Sequence, residues 1–98
     1  MTRGIKLTVN DEAIDLDCFV QAFIDRTVSG MLSSLEGTGD VLSAEITING
    51  DIVNVVVNNE QIPVNEFATK ILRNTIKGMI SSLKGVKEIN SLHLHVRK

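Results

Sequence analysis

Residues 5–48, IKLTVNDEAIDLDCFVQAFIDRTVSGMLSSLEGTGDVLSAEITI, recur without a gap as residues 53–96, VNVVVNNEQIPVNEFATKILRNTIKGMISSLKGVKEINSLHLHV. At this offset of 48 positions, 13 of 44 pairs are identical, among them Val9/Val57, Asn10/Asn58, Phe19/Phe67, Thr27/Thr75, Gly30/Gly78 and Met31/Met79, and most other apolar positions stay apolar. A supersecondary unit written twice implies approximate internal two-fold symmetry. One such unit is marginal as an independent fold, so the two are expected to share one core, with residues 1–98 forming a single domain.

Within the unit, Ile5, Leu7 and Val9 alternate with Lys6, Thr8 and Asn10, the period of a half-buried strand, and Val53, Val55 and Val57 repeat it. Asn10-Asp11 and Asn58-Asn59 follow, residue types that tolerate positive φ and close tight turns. A short extended piece comes next, with Ile14 and Leu16 or Ile62 and Val64 inward; Pro63 cannot donate to a ladder and marks that piece as an edge. Asp17 and Asn65 stand where an N-cap belongs, and helical spacing begins directly after them. Gly37 and Gly85 are expected as the C′ residues of the two helices. The unit closes on a second alternating strand, Ala44-Ile46-Ile48 or Leu92-Leu94-Val96, and Asn49-Gly50 is a strong hairpin signal between the copies.

The order βαβ, hairpin, βαβ predicts an α+β fold. Right-handed crossovers place both helices on one face of an antiparallel sheet. That element order resembles the split-βαβ, ferredoxin-like arrangement, a resemblance of fold alone that carries no function. The alternative gives the extra segments full strand status and reads ββαβ twice.

A single cysteine, Cys18, cannot form an internal disulfide, and the chain reads as soluble and cytoplasmic without a signal peptide. No stretch approaches the roughly 18 apolar residues that cross a bilayer. Net charge is −2, but residues 1–48 sum to −5 and residues 49–98 to +3, so the copies kept their apolar pattern while their surfaces diverged in sign.

With Phe19 at the origin of a helical wheel, the apolar residues of the first helix span about 180°, wider than one sheet requires. The helical register puts the only aromatics, Phe19, Phe23 and Phe67, inward, and the surplus width predicts a homo-oligomer, most simply a dimer. Gly30 and Gly78 fall at the margin of the stripe, where a missing Cβ permits close packing and leucine would overpack. Thr27 and Thr75 fall in its middle and are expected to bond the carbonyl four residues back. All four are read as structural. Ser34 and Ser82 fall in the stripe as well, with nothing beside them to make a nucleophile.

His93 and His95 share a strand side about 7 Å apart, too few ligands for a metal site. Cys18, matched by Glu66, has no second cysteine or adjacent histidine to support redox or catalytic work. The organised charge feature is Lys70, Arg73, Lys77 and Lys84 on the second helix, where the first has Ala22, Asp25, Ser29 and Glu36. It is the candidate docking surface for an acidic protein partner or an anion.

No glycine-rich phosphate loop, H-E-x-x-H or nucleophile motif is present, and no catalytic residue or cofactor is assigned. Single-strand nucleic acid is disfavoured, because the predicted open sheet face has no aromatic on which a base could stack. The sequence thus points to a small non-enzymatic binding or assembly module that self-associates. The alternative is a small-molecule sensor domain with its site at a subunit interface.

Overall fold

A computed structural model describes residues 4–34, 41–83, 85–86 and 88–97. The elements run β1 (Gly4–Val9), β2 (Glu12–Ile14), α1 (Cys18–Ser33), β3 (Ser43–Asn49), β4 (Ile52–Val57), β5 (Glu60–Ile62), α2 (Glu66–Ser81) and β6 (Ser91–Arg97). Every boundary in the second half lies 48 residues after its counterpart. The extra segments form ladders, Leu7 with Ile14 and Val55 with Ile62 among their pairs, so strand status belongs to them and the alternative ββαβ reading describes the unit. Pro63 follows directly after β5, which is an edge strand.

All six strands join one antiparallel sheet in the order β2-β1-β6-β3-β4-β5. The two copies interlock. Strand β1 of the first, with β2 on its outer edge, pairs with β6 of the second, while β3 of the first pairs with β6 and β4 of the second. At the centre Ile46 lies opposite Leu94, residues 48 apart, so the pseudo-two-fold axis passes through that pair.

The turns explain how the strands reverse. Asn10 and Asp11 have φ of 50° and 67°, and Asn58 and Asn59 have 51° and 67°, the two positive values that a type I′ turn demands. Each leading asparagine also ties its turn to the other copy. Asn10 Oδ1 accepts from the amides of Asn90 and Ser91, its Nδ2 donates to the Glu88 carbonyl, and Asn58 Oδ1 accepts from the amides of Leu42 and Ser43. Between β3 and β4 the ladder reaches Asn49 opposite Ile52, which leaves Gly50-Asp51 as the turn. Gly50, at φ 60°, takes the first turn position, one residue later than the Asn49-Gly50 signal suggests.

Asp17 and Asn65 cap the helices, accepting from the amides of Val20 at 2.8 Å and Ala68 at 2.7 Å. The C-caps are Ser34 and Ser82, whose hydroxyls donate to the carbonyls of Gly30 and Gly78. The expectation of Gly85 at C′ is therefore corrected. Gly85, at φ 88°, closes a further turn three residues beyond the cap, while Gly37 lies outside the described residues.

One face of the sheet is apolar: Ile5, Leu7 and Val9, Ala44, Ile46 and Ile48, Val53, Val55 and Val57, Leu92, Leu94 and Val96 are buried along it. Both helices cover this face, through Ile24, Val28 and Leu32 of α1 and Ala68, Leu72, Ile76 and Ile80 of α2. The smallest dimension of the molecule, 18 Å, accommodates one sheet and one helix layer. Among the described residues, no helix or strand covers the other sheet face.

Candidate functional site

The helices present a second apolar face outward, and this corrects the inward placement of the aromatics. Phe19 is 75%, Phe23 54%, Phe67 73% and Ile71 46% exposed. Each helix carries two competing rows at four-residue spacing. The row Ile24-Val28-Leu32 is aliphatic throughout and lies against the sheet, whereas the row Phe19-Phe23 runs through the hydroxyl of Thr27 before reaching the half-buried Met31, so its two rings stay outside. In α2 the continuous row Ala68-Leu72-Ile76-Ile80 wins over Phe67-Ile71 for the same reason. Thr27 and Thr75 come to rest half-buried at the border between the two faces, and Ser34 and Ser82 are exposed.

Gly30 and Gly78 lie on the outer face with the phenylalanines. A Cβ built on either meets no heavy atom within 4 Å, so the room for close packing that a missing Cβ provides is not used within one copy of the chain. Gly30→Ala and Gly78→Ala should each raise stability by about 0.5–1 kcal/mol, through helix propensity and a less flexible unfolded chain. Urea denaturation at low micromolar concentration measures this. A lowered midpoint would show that the added methyl meets a partner.

The basic stripe of α2 is less coherent than its spacing suggests. Lys70 is exposed and lies 3.8 Å from Glu66. Arg73 is largely buried, its Nη1 donating to the Asp51 carbonyl at 3.3 Å and lying 3.6 Å from the Asp51 carboxylate, which ties α2 to the Gly50-Asp51 turn. Lys77 is half-buried, and Lys84 lies outside the described residues. Cys18 is exposed at the start of α1.

Among the described residues, the outer sheet face bears a pair of clefts. One, of about 400 Å³, is lined by Thr8, Asp11, Thr47, Asn49, Asn90, Ser91, Leu92 and His93. The other, of about 250 Å³, is lined by Ser43, Ala44, Glu45, Val56, Asn59, His95 and Arg97. Adding or subtracting 48 carries nearly every residue of one cleft onto the other, so they are a single pocket formed twice. His93 Nε2 lies 3.9 Å from Glu45 Oε1, a pair that straddles the pseudo-axis with one member in each cleft. Among the described residues, no three His, Cys, Asp or Glu side chains gather as a group that could hold a metal ion.

The chain matches no protein-family model, no curated protein and no solved structure. What it does must be argued from its own surfaces. No helix among the described residues is long and apolar enough to cross a membrane.

Sequence reasoning singled out His93 and His95 but missed the clefts they line. The signal was available in the offset of 48, which sets Arg97 against Asn49. Strand adjacency was needed before that difference could be placed in a pocket.

Proposed function

We propose that the protein is a small assembly module that pairs with a second copy of itself through the outer faces of α1 and α2. The observation that carries this reading is the exposure of Phe19, Phe23, Phe67 and Ile71 in two matched stripes on one layer. Exposed apolar clusters mark interaction sites, and aromatic residues are enriched at the centres of interfaces. Phe19 and Phe23 already contact one another, with ring centroids 6.1 Å apart, and so form a preassembled knob. Gly30 and Gly78, about two helical turns further along each stripe, leave room for a partner's side chain.

A second copy is the occupant that the duplication favours. A two-fold setting α1 of one copy against α2 of the other matches two stripes built on one pattern, Phe19 and Phe23 on the first and Phe67 and Ile71 on the second. Such a pairing is isologous, buries both stripes and leaves both sheet faces free.

The same reading takes the chain as one domain, a duplicated split-βαβ variant whose central strands are β6 and β3, and the unpaired Cys18 suits a reducing cytoplasm. Light scattering across a dilution series tests the assembly. A mass of twice 10.7 kDa at micromolar concentration is expected, falling towards 10.7 kDa on dilution. A mass fixed at the lower value at high micromolar concentration would remove the proposal.

A further inference from the structure

We infer that the smaller cleft of the uncovered sheet face, built around Arg97, is a binding site for the oxyanion group of a small metabolite. The fold makes the pocket twice, but only one copy is charged for this task. Asn49 stands where Arg97 does, Thr47 where His95 does, and Asp11 where Asn59 does. Glu45 stands where His93 does, an exchange in the opposite sense, so the feature that sets this cleft apart for an anion is Arg97; folding demands explain the shared shape and leave that arginine unexplained.

The chemistry of the lining converges on a single anionic group. Arg97 is exposed, and among the described residues its guanidinium has neither an ion pair nor a hydrogen-bond partner, although the chain carries a net charge of −2. Its N–H fork can bind two oxygens of a carboxylate or phosphate side by side. His95, two residues back on β6, projects to the same side about 7 Å away, and Lys6 lies directly opposite it in the ladder. The Ser43 hydroxyl and Asn59 amide supply further donors.

Glu45 also lines this cleft, directly opposite His95 in the β3–β6 ladder, with its Oε1 3.9 Å from His93 Nε2 across the pseudo-axis. Its carboxylate leaves room for one anionic group at Arg97 and penalises extended polyanions, and none of the three phenylalanines stands on this face to stack a base. A volume of about 250 Å³ suits a small molecule carrying one such group.

Amide NMR of the full chain, titrated with inorganic phosphate and separately with acetate at an ionic strength held constant with sodium chloride, tests the site. Saturable shifts are expected at Ser43, Glu45, Asn59, His95 and Arg97, with Asn49 and Ser91 unmoved. Saturation by phosphate alone assigns a phosphoryl ligand, saturation by acetate alone a carboxylate, and saturation by both an oxyanion recognised through two oxygens. Arg97→Gln should weaken binding at least tenfold while leaving the rest of the spectrum in place. The triple variant Asn49→Arg, Thr47→His and Asp11→Asn should install a second saturable site around Ser91.

Shifts that rise linearly without saturating, that appear equally at both clefts of the unaltered chain, or that persist with the same affinity in Arg97→Gln would overturn the inference. Self-association is read separately, from concentration-dependent shifts on the outer faces of α1 and α2, so either proposal can fail alone.

Discussion

Leu94→Ala is expected to lower stability by about 3–4 kcal/mol, the largest loss from any single truncation on this sheet. Leu94 is completely buried in the central strand β6, between Leu7 of β1 on one side and Ile46 of β3 on the other. Neighbours anchored in two ladders cannot collapse readily into the space left by three missing carbons. Leucine-to-alanine changes at such sites cost about 2.7–5.0 kcal/mol through lost transfer energy and the residual cavity. Against the roughly 5–15 kcal/mol that holds a domain together, this loss should depress the melting temperature by some 15–25 °C. Ile46→Ala, at the equivalent position, should cost a similar amount. The double variant should depart from additivity, because the two cavities merge across the pseudo-axis. Chemical denaturation followed by circular dichroism measures all three. A loss below about 1 kcal/mol for Leu94→Ala would show that the centre of the sheet is not packed as described.

How much of this was legible in the chain depends on the range of the interaction involved. Local chemistry was readable: the alternation Ile5-Leu7-Val9, the caps Asp17 and Asn65, and the positive-φ pairs Asn10-Asp11 and Asn58-Asn59 all lie where their residue types place them. The orientation of the helices was not. Two apolar rows about 100° apart are both consistent with the periodicity of α1, and only the sheet selects Ile24-Val28-Leu32 over Phe19-Phe23. Side-chain size misled here: the rows that carry the rings are interrupted by Thr27 and Thr75, and the rings stay outside. Strand order and the twin clefts depend on which strands become neighbours, as when β6 inserts between β1 and β3 and sets Thr8, His93 and Thr47 in one row. Nothing local encodes that insertion. The duplication narrows it, because any pairing must map onto itself at an offset of 48.

The combined substitution Phe19→Asp and Phe67→Asp should convert the proposed dimer to a monomer with no loss of fold. Both rings are about three-quarters exposed and contribute little to the core of one copy of the chain. Each is the second residue of its helix, after Cys18 or Glu66, where a carboxylate interacts favourably with the helix N-terminus by about 0.3–1 kcal/mol. The doubly substituted chain should therefore melt at or above the temperature of the unaltered chain in its monomeric form, which separates lost association from lost structure. At the interface the same changes are severe. Truncation of an aromatic anchor typically costs about 2–4 kcal/mol, and a two-fold pairing counts each substitution twice. Bringing uncompensated carboxylates into a closed apolar contact adds a desolvation cost. The dissociation constant should rise by at least about a thousandfold, corresponding to some 4 kcal/mol, and sedimentation or light scattering should give 10.7 kDa at concentrations where the unaltered chain is paired. An unchanged mass in this variant would place the contact elsewhere and return the exposed stripes to ordinary surface. A monomeric mass with preserved circular dichroism would identify the outer helix faces as the surfaces that bring two copies together.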